Sequence, residues 1–195
     1  LFRSSISFNM LFLEEIWSRN FTNLFIAPLK VSEIITALTA TALIRTLIGI
    51  VPAVLLASPF FGVSLLNLGP ALILLLLSLY GFGISLGLLV VSGLLRFGPA
   101  FENVAWSSLF LLAPLGCIYY PLSILPDGLQ LLAKALPLVY IFEEVRSILL
   151  NNVVNYNNIL SALMLNLIYF TLSIIVFYSA FREARKRGTL INVGE

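Results

Sequence analysis

The sequence predicts an all-α integral membrane protein, a polytopic helical bundle, and three observations carry that prediction. Of its 195 residues, 60% are hydrophobic and only 10% charged, with a mean hydropathy of +1.05, too little polarity to cover a water-soluble domain. Charge-free stretches long enough to cross a bilayer recur along the chain. Lys and Arg also fall unequally on the connections between those stretches.

Residues 1–16 hold a short apolar segment that opens on Leu1 and already carries Arg3, and it reads as a partial helix of an N-terminally truncated chain. In the connection at 17–31, "WSRNFTNLFIAPLKV", Phe21, Leu24 and Phe25 make one apolar stripe on a short helix that Pro28 limits. Such a helix either lies among lipid headgroups or plugs a groove on a partner protein.

No charge occurs between Arg45 and Arg96, which leaves room for two crossings around the breaker-rich "SPFFGVSLLNLGP". Spans are expected at 33–57 and 70–95. Charge-free stretches further on place spans at 103–121 and 158–181, the second after the polar run "NNVVNYNN". "GISLG" inside the 70–95 span presents small residues at a spacing that admits a neighbouring helix, within the chain or across a dimer.

The connection at 122–151 is too apolar for a solvated loop. An eleven-residue helix after Pro126 and a second half-length helix from Leu138 to Leu150, parted at Pro137, predict a re-entrant hairpin, which must pack on protein or line a wet cavity. On the second half-helix, Tyr140, Glu143, Glu144, Ser147 and Asn151 share one polar stripe.

Arg19, Lys30, Arg96, Arg182, Arg185, Lys186 and Arg187 gather on one side, against Lys134 and Arg146 on the other. The positive-inside rule makes the first side cytoplasmic, with the tail at 182–195, and the hairpin extracellular. Arg45 then lies deep in a span. Two accounts of its charge stand open: a long-range pair with Glu143 or Glu144, or a local Glu143–Arg146 pair with Arg45 reaching water or the headgroups. Glu14 and Glu15 read as a solvated helix end or as a contact with a partner, and the basic tail as an anchor for anionic headgroups.

One Cys and no His argue against a disulfide framework or a zinc site, no phosphate-binding loop is present, and nothing calls for a cofactor or nucleic acid. An intramembrane enzyme using Glu143 and Glu144 as acid and base is disfavoured because adjacent helical residues diverge by about 100°. A non-catalytic scaffold or channel is a further alternative.

The order of parts, with "P-L-S-x-L-P-x-x-L-Q" at Pro121–Gln130 and "L-P-x-x-Y-x-F-E-x-x-R" at Leu136–Arg146, resembles the membrane subunit of type-2 ATP-binding-cassette (ABC) exporters over nearly the whole chain. The resemblance implies a single transmembrane domain with five of six helices present, a cytoplasmic coupling helix and an outer hairpin bordering the translocation path. It further implies a plasma-membrane permease that works with a second copy of itself and a separate ABC ATPase, exporting a drug, lipid or polysaccharide-type substrate. Asn20, Phe21, Leu24, Phe25 and Pro28 would contact the ATPase, and Tyr140, Glu143, Glu144, Arg146 and Arg45 would border the path or its outer gate. The chain departs from the family where many members carry a "G-T-L-E" type sequence and it has "S-R-N-F-T-N".

Overall fold

A computed structural model describes residues 14, 31–61, 69–151 and 153–187, and every regular element among them is helical. The helices are α1 (Val31–Phe61), α2 (Pro70–Phe97), α3 (Glu102–Leu115), α4 (Asp127–Lys134), α5 (Pro137–Asn151) and α6 (Tyr156–Arg187), with single 3-10 turns at Pro99–Phe101 and Leu122–Ile124. Segments within α1, α2 and α6 are long and apolar enough to cross a membrane. The segments at 1–13, 15–30 and 188–195, which hold nearly all of the expected partial first helix and the whole expected coupling set Asn20, Phe21, Leu24, Phe25 and Pro28, lie outside the described residues.

The bundle is organised by α2 and α6, which run parallel. Asn166 of α6 donates to the Ser78 carbonyl of α2 at 2.9 Å. Four residues further along α2, the Phe82 ring meets Tyr169 edge-on at 5.5 Å. At the far ends Arg96 approaches Glu183 at 3.7 Å. Positions on α6 thus advance in step with those on α2, so Pro70 and Tyr156 share one end of the bundle while Arg96 and Arg182 share the other.

The facing residues explain how the two helices come so close. Ser78, Ser85 and Ser92 repeat every seven residues along α2, and Asn166, Ser173 and Ala180 do so along α6; all six are buried. Small side chains let backbones approach. The hydroxyls of Ser85, Ser92 and Ser173 return hydrogen bonds to carbonyls of their own helices, so the seam buries little unpaired polarity. Asn166 Oδ1 is the exception, a buried acceptor lacking a protein donor among the described residues.

Outside the seam the helices are apolar and bare. Ile73, Leu74 and Leu77 on α2, Leu163, Leu167 and Ile168 on α6 and Leu47, Ile48 and Leu55 on α1 are all exposed. In water this much open apolar area would aggregate; in lipid it is the expected outer surface. α1 joins the core chiefly through Ala42 and through a hydrogen bond from the Tyr80 hydroxyl to the Thr39 carbonyl.

α3 corrects the span expected at 103–121. It holds 14 residues and rises about 21 Å, short of a hydrocarbon core of about 30 Å. Pro114 in its last turn, Gly116 as its cap and Pro121 beyond all oppose continuation. The carbonyls of Cys117 and Tyr120 are taken by Arg146 instead of by a next helical turn. Cys117 itself sits at φ +52°, a left-handed turn that ends the helical path.

The start of α3 is pressed against the Arg96 end of α2. A Cβ on Gly93 would fall 2.1 Å from the Phe101 ring, which also stacks on Phe97 at 5.7 Å. Gly93→Ala is therefore expected to lower stability by about 1–3 kcal/mol through overpacking. Phe101→Leu in the same chain should make the double variant less destabilised than the sum of the singles, as read by thermal melting in detergent.

Candidate functional site

The candidate site is the segment from Gly116 to Asn158, where α4 and α5 form a hairpin beside the first half of α2 and α6. The expected eleven-residue first arm is shorter, with α4 holding eight residues because its last turn opens at Ala135 before Pro137. The second arm, α5, runs over 15 residues with Pro137 in its first position, where a missing N–H costs nothing.

The hairpin reaches well into the bundle. Tyr169, about 13 residues and 20 Å along α6, donates its hydroxyl to the Ala135 carbonyl at 3.3 Å. The bend between α4 and α5 thus lies near the middle of α6, and α5 returns toward the end where α6 begins. Leu138 and Ile141 are 1% and 0% exposed, packed in one cluster with Leu75, Leu79 and Phe82 of α2 and Ala162 of α6. The second arm is thus enclosed by α2 and α6 on its apolar side.

The end of α3 arrives at the same level. Leu112 packs into the cluster of Leu138, and a Cβ on Gly116 would lie 2.8 Å from the Leu112 carbonyl and 3.0 Å from the Leu138 side chain. Glycine is required there by close approach. α3 and the α4–α5 hairpin therefore enter from opposite ends of the bundle and meet near its middle.

The charges on α5 do not form one stripe facing a path. Glu143 accepts a hydrogen bond from the Leu122 backbone N–H at 2.8 Å and from Arg146 at 2.7 Å. Arg146 also donates to the carbonyls of Cys117 and Tyr120 at 3.0 and 3.1 Å. One guanidinium, whose fork carries several rigid N–H groups, thus clamps α5 to the turn that follows α3.

Glu144 turns the other way. It is fully buried, accepts from the Asn155 backbone N–H at 2.7 Å and from the Asn158 side-chain amide at 3.1 Å, and lies at the start of α6. That position places a carboxylate at the positive end of the helix and fills acceptor roles that the first turn leaves open. Ser147 completes the link by donating to the Val153 carbonyl at 3.0 Å. The polar stripe expected from spacing is instead a set of stitches to two different segments, because Glu143 and Glu144 diverge around the helix.

Of the two accounts of charge pairing, the local Glu143–Arg146 pair is present, and it is sheltered: Arg146 and Glu143 side chains are 24% and 30% exposed. Arg45 is not matched by Glu143 or Glu144 but by Glu14 at 2.5 Å, both about half exposed. Glu14 is therefore not merely a solvated helix end. Tyr140 is half-buried in the α2–α5 cluster. The site brings together Glu143, Glu144 and Arg146, with Tyr140 on the same helix, and leaves Arg45 in a separate pair.

Sequence reasoning overlooked Asn155 and Asn158, which the run "NNVVNYNN" presented only as a polar loop. The available signal was the Asn155 N-cap position before an apolar run. It also overlooked Cys117, whose carbonyl anchors Arg146 and whose side chain is wholly buried. Among the described residues no cluster of His, Cys, Asp or Glu could hold a metal ion. No family model matches the chain, nor does any curated protein or solved structure.

Replacing Glu144 by Leu removes the buried acceptor of two hydrogen bonds whose donors, on exposed Asn155 and half-buried Asn158, can partly turn to water, so a loss of about 1–3 kcal/mol in all is expected, read as a lower thermal midpoint in detergent. Glu144→Gln, which keeps one acceptor oxygen, should fall between the two. The lone cysteine offers a readout for the clamp: a polar maleimide should label Cys117 slowly in the native chain. In Arg146→Ala labelling should be about tenfold faster, because losing the clamp removes roughly one hydrogen-bond equivalent of local closure.

Proposed function

We propose that the chain is the permease subunit of an ABC exporter, working as a dimer in the plasma membrane with a separate ABC ATPase. The observation that carries this reading is the hairpin. The segment whose motifs resemble the outer element of type-2 exporters folds as two half-length helices reaching about 20 Å into the bundle, held by the Glu and Arg residues of those motifs.

The parallel course of α2 and α6 supports the accompanying topology. Arg96, Arg182, Arg185 and Lys186 gather at one end, and the positive-inside rule makes that end cytoplasmic, with the C-terminus on the same side and the hairpin opening outward. Glu143, Arg146 and Tyr140 border the outer end of the path. Glu144 and Arg45 serve this path indirectly, one by fixing the start of α6 and the other by pairing with Glu14.

The acid–base alternative has less support, since Glu143 and Glu144 are engaged by separate backbone segments and converge on no common atom. The substrate is a drug, lipid or polysaccharide-type compound. Coupling to the ATPase falls to Asn20, Phe21, Leu24, Phe25 and Pro28, where an apolar stripe would fill a cleft on the partner.

Coexpression with the ATPase of the same system provides the test. The native chain should copurify with it, and Phe21→Asp combined with Phe25→Asp should abolish copurification while leaving the permease folded and membrane-inserted. Undiminished copurification of the double variant would overturn the placement of the coupling segment.

A further inference from the structure

At the basic end of the bundle, Ser179, Arg182, Glu183 and Lys186 line an open cleft of about 630 Å³ on one face of α6. Their spacing of three and four residues puts them on one stripe, while Ala180 and Ala184 on the opposite face are buried against α2. Glu183 is approached by Arg96 of α2, so its carboxylate is offset by a cation from the neighbouring helix. The lining carries Arg182 and Lys186 against Glu183, and with Arg96 beside Glu183 the group sums to about two positive, counted as three cations minus one carboxylate.

Two further observations decide what such a cleft would hold. Arg96 and Arg182 are the first charges after the apolar stretches of α2 and α6, so the cleft stands at the level where both helices leave the hydrocarbon. Below it on the same face, Leu172, Ile175 and Val176 are all exposed, continuing the stripe as bare apolar surface. A cationic recess directly above an open apolar strip matches a molecule with an anionic head and an alkyl tail. An acidic peptide or a free anion would use the recess alone and make no contact with the strip.

We propose that this cleft is a binding site for an anionic phospholipid, with the phosphate held by Arg182 and Lys186 and an acyl chain lying along Leu172, Ile175 and Val176. Ser179 donates its hydroxyl to the Val176 carbonyl, so the two cations supply the donors to the phosphate. Arg182 and Lys186 are both exposed and take no part in the seam, so removing them should leave the bundle intact. The site does not depend on the exporter reading, which stands or falls with ATPase copurification.

Native mass spectrometry of the detergent-purified full chain, titrated with phosphatidylglycerol or phosphatidylcholine, tests the site. The native chain should retain phosphatidylglycerol about tenfold more strongly than phosphatidylcholine, since each nearby cation contributes a severalfold preference. Arg182→Gln with Lys186→Gln should remove that preference, Arg182→Lys with Lys186→Arg should keep it, and Lys134→Gln, beside the hairpin bend and away from the cleft, should leave it unchanged. Equal retention by the native chain and the Gln double variant would overturn the proposal. So would displacement of the bound lipid by millimolar inorganic phosphate, which would assign the recess to a free anion.

Discussion

Close packing between two parallel helices is the constraint from which the remaining geometry follows. Helices that neighbour one another in sequence usually run antiparallel, but α2 and α6 are separated by α3 and the hairpin and advance in the same direction. Once they do, the chain between them must return a full helix length. It does so in two instalments: α3 covers one half, and the hairpin drops in from the opposite end and climbs back to where α6 begins. The serines of the seam permit this by letting the helix axes approach at little polar cost.

The charged residues of α5 then act as local joinery. Three stabilising effects compete at this helix: apolar burial of Leu138, Ile141 and Phe142, the Arg146 clamp, and the Glu144 cap. Burial is the largest, since each fully buried side chain of this size contributes about 1.5–3 kcal/mol. It is also non-directional, and sliding α5 by a turn would exchange one apolar contact for another. The clamp and the cap have fixed partners, so they select the register that burial alone leaves open.

The long elements were legible because their signals are strong and redundant. Charge-free length marked α1, α2 and α6 to within a few residues, and Pro126 and Pro137 bracketed the first arm of the hairpin. The end of α3 was misjudged because apolar composition continues through "LGCIYYP" and masked the local breakers Pro114 and Gly116; the tertiary part of the stop, capture of the Cys117 carbonyl by Arg146 29 residues away, has no local signal. The polar stripe failed for a related reason. Spacing reports that Glu143 and Glu144 share a broad face, yet 100° of divergence suffices to give each its own partner when loops lie on both flanks. The pairing of Arg45 with Glu14 joins residues 31 apart, and no local pattern announces it.

The meeting of α3 with the hairpin has a mechanical meaning. Continuous helices resist shear because displacement along the axis must break the hydrogen bonds of every turn. Where α3 ends and the hairpin bends, no backbone helix bridges the two halves, and the links across the joint are side-chain packing around Gly116, the fork of Arg146 and the Leu122–Glu143 hydrogen bond. Half of the bundle thus has a fault plane built into it while α2 and α6 pass through as unbroken rods. Displacement of the hairpin relative to α3 would require the few polar links made by Arg146 and Glu143 to let go, with every helical turn kept intact.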